Sequence, residues 1–85
     1  MEAYKVIKYP LSTEKSVRLM ESENKLIFVV DIKARKDDVK KAIEEMFKVK
    51  VVKVNLAIIG NKKRAYIKLS PENPAIEIAT QLGLM

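Results

Sequence analysis

Residues 49–69, VKVVKVNLAIIGNKKRAYIKL, decide the fold because they predict two β-strands joined by a tight turn. Val and Ile are frequent in this stretch, and Gly60-Asn61 at its centre is a signal for a two-residue type II′ turn. We therefore predict strands over residues 49–59 and 62–69. A turn of this length also fixes which residues lie opposite each other.

The resulting register sorts the hairpin into two chemically different faces. One face pairs Lys53 with Lys68, Asn55 with Tyr66, and Ala57 with Arg64. The other pairs Val52 with Leu69, Val54 with Ile67, and Leu56 with Ala65. A slip of one residue would invert one strand and mix the two faces, so the sorting itself supports the hairpin.

The same region concentrates positive charge. Residues 48–69 contain seven Lys or Arg residues and no acid, whereas the rest of the chain has 10 basic and 11 acidic residues. Charge gathered on one surface is typical of proteins that bind a polyanion. Lys53 opposite Lys68 costs some tenths of a kcal/mol, and a phosphate between them would turn repulsion into attraction. The predicted nucleic-acid contacts on the hairpin are Lys53, Asn55, Lys62, Lys63, Arg64, Tyr66 and Lys68.

A plainer interpretation exists for each of these residues. Any one lysine could be a solvated residue of a half-exposed sheet, and lysines on an edge strand also block aggregation. Tyr66 could be an ordinary cross-strand packing partner. The seven cations taken together, with no acid between them, favour nucleic acid.

The first half of the chain predicts two further strands and a helix. Residues 4–9 are β-prone and stop at Pro10. Ser12 or Thr13 can cap a helix that runs to about Ser22. Residues 24–32 are apolar on both faces, as expected of a strand covered on both sides.

Two more helices complete the order of elements. Residues 37–48 have apolar side chains at helical spacing, with two acids in the first turn. Asn73-Pro74 predicts an N-cap followed by proline at the first helical position, and Gly83 predicts the helix end. The order strand, helix, strand, helix, strand, strand, helix indicates an α+β fold. We expect a four-stranded antiparallel sheet with helices mainly on one face.

Composition limits the function classes. The chain of 85 residues predicts a single domain, residues 1–85, and has no His, no Cys and only two glycines. These absences disfavour an enzyme, a metal site, a cofactor and a small-molecule substrate. No run of about 18 apolar residues and no signal-peptide core is present, so we expect a cytoplasmic protein without a membrane contact.

Several segments resemble one known family. Residues 63–70, KRAYIKLS, followed by Ile78, resemble the signature of the L-twenty-three family of large-ribosomal-subunit proteins. Residues 10–16, PLSTEKS, resemble its P-x-x-T/S-E-K motif, and residues 49–55 resemble its V-x-V-x-x-V-N strand. Residues 38–47 resemble its central helix. The ending IATQLG, residues 78–83, resembles the archaeal branch.

The resemblance implies a structural, non-catalytic role. Such proteins bind large-subunit rRNA at the rim of the polypeptide exit tunnel, contact a neighbour of the L-twenty-nine family, and offer a docking point for the signal recognition particle. The family's docking glutamate corresponds to Glu14. The sequence departs from the family in two places, which limits what the resemblance implies. Gly60-Asn61 leaves no room for the long basic loop that bacterial members have between the last two strands. Lys48 follows Phe47, where bacterial members often have an acid used in docking.

The first helix has its own alternatives. By position alone, Glu14 is a first-turn acid that stabilises the helix dipole, and docking is compatible with that role. Lys15 and Arg18 lie three residues apart and share a helix face, where they could contact RNA or be solvated.

Three other functions are alternatives to that of a structural rRNA-binding protein. A stand-alone interaction module would add a peptide strand to an open sheet edge. A small enzyme of ferredoxin-like shape would need an anion-binding loop and a nucleophile. A reader of single-stranded RNA would need two or three exposed aromatic residues on the sheet, and the sequence places only Tyr66 there.

Overall fold

Four antiparallel strands form one sheet in the computed structural model, which describes residues 3–83. The strands are β1 (Ile7–Pro10), β2 (Lys25–Val30), β3 (Val51–Ile59) and β4 (Lys62–Leu69). The helices are α1 (Ala3–Val6), α2 (Glu14–Glu23), α3 (Lys36–Phe47) and α4 (Ala75–Gln81). The sheet order is β1-β2-β4-β3. The predicted α+β class and order are confirmed, apart from the added helical turn α1.

That turn corrects the prediction of a strand over residues 4–9. Val6 and Ile7 are consecutive and both buried. A strand would send successive side chains to opposite faces, and one of the two would leave the core. Ending a helical turn at Val6 before the strand begins lets both side chains point inward. The Val6 carbonyl accepts the Asp31 N–H at 2.8 Å, which ties the turn to the end of β2.

The β3–β4 hairpin has the predicted register over most of its length. Lys53 pairs with Lys68, Asn55 with Tyr66, and Ala57 with Arg64. Gly60 has φ +64° and Asn61 is not left-handed, the combination of a type II′ turn. The predicted Val52–Leu69 pair is wrong.

A bulge at the start of β3 explains the error. Val51 pairs with Leu69, and the register shifts before Lys53. Val51 is buried, whereas Val52 is 57% exposed. One extra residue lets the strand keep Val51 in the core and Lys53 on the other face.

The hydrophobic core lies on one face of the sheet. Its strand residues all share that face: Ile7, Leu26, Phe28, Val30, Val51, Val54, Ala65, Ile67 and Leu69. Its helix residues come from all the helices: Val6, Met20, Val39, Ala42, Ile43, Ala75, Ile78 and Ala79. The Phe28 and Phe47 ring centroids are 6.1 Å apart. Within residues 3–83 the helices therefore cover this face and leave the other free of helix.

Capping confirms some helix boundaries and corrects others. Thr13 caps α2: its side chain accepts the Ser16 N–H at 3.2 Å, and Ser16 Oγ accepts the Thr13 N–H at 2.7 Å. The third helix spans Lys36–Phe47 rather than residues 37–48, and Asp38 accepts the Arg35 N–H at 3.0 Å. Gly83 follows α4 with φ +75°, as predicted for a helix end.

The predicted Asn73 cap of α4 is wrong. Asn24 Oδ1 accepts the Ala75 N–H at 2.6 Å, whereas Asn73 Oδ1 accepts the Lys50 N–H at 2.9 Å. Pro74 occupies the N-cap position itself rather than the first helical position. The acceptor for α4 therefore comes from the residue that ends α2. None of the helices in residues 3–83 is long and apolar enough to cross a bilayer.

Candidate nucleic-acid interface

The sheet face opposite the core, here called the open face, carries most of the predicted contact residues. Strand alternation and pairing bring together Tyr9, Lys25, Ile27, Val29, Lys53, Asn55, Ala57, Ile59, Lys62, Arg64, Tyr66 and Lys68. Lys53, Asn55, Lys62 and Lys68 are exposed, and Arg64 and Tyr66 are partly exposed. The open face therefore presents five cations and no acidic strand residue.

Three lysines form a row across three strands. Lys25 on β2 pairs with Lys68 on β4, and Lys68 pairs with Lys53 on β3. Directly opposite side chains in antiparallel strands begin about 5 Å apart, so the three ammonium groups repel one another. Lys25 lies 3.2 Å from a Glu23 carboxylate oxygen, while Lys53 and Lys68 meet no carboxylate within residues 3–83. An anion above the row would relieve this repulsion.

The sequence does not predict that Lys25 belongs to the open face, because its pairing partner Lys68 is distant along the chain. Register within β3–β4 follows from a short turn, but the pairing of β2 with β4 joins residues about half the chain apart. Alternation along residues 25–30 gives two apolar faces. It does not show which of them packs on the core, so the side of the sheet on which Lys25 lies is not determined by the sequence. The structure extends the predicted lysine pair to the lysine row Lys25–Lys68–Lys53.

Two apolar residues under the open face explain why β2 is apolar on both sides. Ile27 and Val29 are 5% and 3% exposed, yet neither belongs to the hydrophobic core. Their direct neighbours are Tyr66, which pairs with Ile27, and Tyr9 and Arg64, which flank Val29. Aromatic and long polar side chains, rather than a helix, therefore cover the second face of this strand.

Tyr9 is a second aromatic residue on the open face. Its hydroxyl oxygen accepts a hydrogen bond from Lys62 Nζ at 2.9 Å. The Lys62 ammonium nitrogen lies 5.6 Å from the centroid of the Tyr9 ring. This distance is close to the sum of the hydrogen-bond length and the distance from the ring centre to the hydroxyl oxygen, so the three points lie nearly on one line. The ammonium therefore sits beyond the hydroxyl, near the ring plane, and covers neither face of the ring. The sequence does not indicate that Tyr9 lies here, because a register shift between Ile7 and Tyr9 puts these two residues on opposite faces of the sheet.

Lys63 does not lie with the other predicted residues. It pairs with Val30 and Ile58 on the core face, and its Nζ donates to the Ala34 carbonyl at 2.9 Å. This bond ties the start of β4 to the loop that precedes α3. Lys63 therefore lies on the opposite face from Arg64, because successive strand residues alternate faces, and its contact with RNA beside the turn stays a prediction.

The α2 residues form a separate exposed surface. Glu14 and Arg18 form an ion pair of 2.8 Å, with side chains 82% and 76% exposed. Lys15 is exposed too. Because α2 packs on the core side of the sheet, the structure does not bring Lys15 and Arg18 to the open face. In the described part of the chain, no cluster of acidic side chains could hold a metal ion.

Comparison with known proteins identifies the family of the chain. The model of the family described as Ribosomal protein L23 matches residues 5–76. The chain belongs to the ribosomal protein L23 family. It is 49% identical over 85 residues to the large ribosomal subunit protein uL23 of Methanococcus aeolicus, covering 99% of each chain. It is 46% identical over 85 residues to that of Methanococcus vannielii, again with 99% coverage of each.

Membership of the L23 family establishes the coarse function. The chain is a protein of the large ribosomal subunit, an RNA-containing particle of the cytoplasm. Its relatives are structural ribosomal proteins, which agrees with the expectation that it is not an enzyme. Both relatives are archaeal, as the ending of the chain predicted.

Proposed function

We propose that the open face is the surface that binds large-subunit rRNA. One observation carries the proposal: Lys53, Arg64 and Lys68 share this face with Asn55 and Tyr66, and none of the three cations meets a described carboxylate. Elsewhere in residues 3–83, Arg18 is neutralised by Glu14. Unpaired cations on a rigid sheet are available to phosphates without breaking an internal contact.

The mechanism is attachment without chemistry. Phosphates bound by the lysine row fix the position of the protein, since phosphate contacts orient a complex and carry little sequence information. Arg64 can donate a fork of hydrogen bonds to a phosphate or stack on a base. Asn55 can both donate to and accept from a base edge or a 2′-hydroxyl. Lys15 is proposed as a weaker contact, reached from the α2 surface.

The position within the ribosome is proposed from the family resemblance. We place the protein at the rim of the polypeptide exit tunnel, beside a protein of the L-twenty-nine family. The tight turn at Gly60 supports the rim rather than the tunnel wall, because the hairpin has no extension at its tip.

Glu14 is the proposed docking residue for nascent-chain factors, including the signal recognition particle. Its side chain is 82% exposed and its partner Arg18 is equally accessible. An exposed ion pair contributes little stability, so a factor could take over either partner at small cost. Because α2 and the open face lie on different sides of the sheet, both surfaces could be occupied together.

Charge reversal on the two sides of the molecule tests the rRNA proposal. The variant Lys53→Glu/Arg64→Glu/Lys68→Glu reverses three cations of the open face. The control Lys33→Glu/Lys36→Glu/Lys40→Glu makes the same change of charge at exposed residues outside the sheet. Chemical footprinting of large-subunit rRNA should show protection lost with the first variant and retained with the second.

Two other results would overturn the proposal. Protection unchanged by the open-face variant would move the contact elsewhere, with the α2 surface as the next candidate. An equal loss with both variants would show that only net charge matters. Thermal melting of both variants establishes that each is folded.

The structure weakens the alternative of a peptide-binding sheet edge. The bulge at Val52 makes the start of the free edge of β3 irregular, and regular pairing runs only from Lys53 to Ile59. Bulges on edge strands are a common device against strand addition. A peptide would have only the part of β3 beyond the bulge to pair with.

A further inference from the structure

We infer that the open face holds an unpaired stretch of RNA, with bases stacked on Tyr9 and Tyr66 and backbone phosphates over the lysine row Lys25–Lys68–Lys53. This inference rests on the proposed function and adds the form of RNA that the face accepts. Proteins that recognise unpaired RNA stack its bases on aromatic rings, whereas duplex RNA is bound through its backbone and 2′-hydroxyls.

Tyr9 is held in a position suited to stacking. The in-plane hydrogen bond from Lys62 to its hydroxyl, at 2.9 Å, restricts the ring without covering either of its faces. Val29, its cross-strand neighbour, is buried although no core residue packs on it, which fits a ring lying over Val29. Tyr9 is 40% exposed, so ring surface remains for a base.

Tyr66 repeats the arrangement one strand away. Ile27, its partner on β2, is buried outside the core in the same way, so the ring has an apolar support. On its other side Tyr66 pairs with Asn55, whose amide is exposed and makes no hydrogen bond among the described residues. A base on Tyr66 would meet a donor and an acceptor at its edge.

Arg64 and the lysine row supply the charge for the backbone of the same strand. Arg64 precedes Tyr66 by two residues and Lys68 follows it by two, so both lie about 7 Å from it along β4. A nucleotide can span that distance between its base and its phosphate. Arg64, Tyr66 and Lys68 therefore follow one another along β4 at steps of about the length of a nucleotide. The lysine row lies at one end of this line, and Tyr9 and Lys62 lie at the other.

A duplex would use this face poorly. Its bases are stacked inside the helix, so the tyrosine rings would meet only the sugar-phosphate backbone. Binding would then depend on the cations alone. The two forms of RNA thus differ in whether the tyrosines contribute, and this difference can be measured.

The experiment compares two probes on the full chain: an unstructured RNA of about 12 nucleotides and a duplex of the same length. The test variant is Tyr9→Ala/Tyr66→Ala, and the matched control is Tyr9→Phe/Tyr66→Phe, which keeps both rings. Each ring is expected to contribute about 5- to 160-fold to single-strand affinity. The Ala variant should lose at least about 25-fold on the single strand, and the Phe variant should stay within a few-fold of the parent.

A third variant keeps the test valid if removing both rings unfolds the protein. Tyr9→Leu/Tyr66→Leu retains an apolar cover over Val29 and Ile27 while removing the stacking surface. It should lose single-strand affinity as the Ala variant does. Melting curves identify which variant is folded and therefore which is compared.

The outcomes separate this inference from the proposed function. Equal binding of both probes, unaffected by the Ala or Leu variant but abolished by Lys53→Glu/Arg64→Glu/Lys68→Glu, would overturn the stacked strand and leave rRNA binding standing. Single-strand and duplex binding that both survive the charge reversal would overturn the two together. Loss in the Ala and Leu variants with retention in the Phe variant supports the inference.

Discussion

At the scale of single residues, Asn24 joins three elements through one side chain. It ends α2 in the left-handed conformation, with φ 56°. Its Nδ2 lies within hydrogen-bond distance of the carbonyls of Leu69, Ser70 and Asn73, at 3.2, 3.1 and 3.2 Å. Its Oδ1 accepts the Ala75 N–H at 2.6 Å. This amide therefore fixes the end of β4 and the start of α4 against the end of α2.

Two substitutions at Asn24 separate the side chain from the backbone. Asn24→Gly keeps a residue suited to positive φ and removes the amide, which should lower the free energy of unfolding by about 2–3 kcal/mol. Asn24→Ala removes the same amide and adds about 1 kcal/mol of backbone strain. Urea denaturation measures both, with Asn73→Ala as a control that removes a single accepted bond. A Gly variant as stable as the parent would contradict the role assigned to the amide.

Local contacts were predictable at this scale and remote ones were not. Thr13 and Ser16 lie three residues apart, so a short local motif is enough to predict the cap of α2. The acceptor for α4 is Asn24, 51 residues before Ala75, and no local pattern indicates it. Asn73 stands at the position that the motif favours but points its acceptor at Lys50.

At the scale of elements, the β3–β4 hairpin shows why its predicted register was correct from Lys53 onward. A two-residue turn leaves no freedom in the pairing, so the alternation of apolar and basic residues fixes both faces. The bulge was not predictable, because it depends on which of two adjacent valines the helices cover. Tyr9 and Lys25 were missed for a related reason: their strands pair through long connections whose register has no turn signal.

The repulsion within the lysine row predicts that a substitution can stabilise the fold and at the same time weaken the binding of rRNA. Lys68 lies between Lys25 and Lys53, so Lys68→Glu replaces two repulsive cross-strand pairs with attractive ones. The free energy of unfolding should rise by about 0.5–1 kcal/mol, while affinity for rRNA falls. Urea denaturation and RNA titration in the same buffer measure the two effects.

Lys40→Glu is the matched control, since Lys40 is exposed on α3 and faces no row of cations. It should change stability by no more than about 0.5 kcal/mol and leave affinity near that of the parent. A Lys68→Glu variant less stable than the parent would show that the row is not strained in the free protein.

At the scale of the whole molecule, charge and core are separated by the sheet. In the described residues, 3–83, the core and all helices occupy one side, and five cations occupy the other. Charge clustering and the hairpin register predicted this division for four of the five cations, but Lys25 was missed and Lys63 lies on the core face. The division gives the molecule one preferred side for a polyanion.

Salt dependence follows from the number of cations on that side. If the open face neutralises about five phosphates, the logarithm of affinity should fall with the logarithm of salt concentration at a slope of about −4. The variant Lys53→Glu/Arg64→Glu/Lys68→Glu should show a slope shallower than about −2. Filter binding across a salt series measures both. A slope near zero for the parent would contradict attachment through phosphates.

The place of β2 inside the sheet has a consequence for how the chain comes to be folded. During synthesis β2 emerges early, apolar on both faces, while its partner β4 is still to be made. Until then one edge of β2 exposes unpaired amides beside Leu26, Phe28 and Val30, a template for self-association. The sheet therefore closes only after β4 has been made, and chains interrupted before residue 62 would leave this apolar segment uncovered.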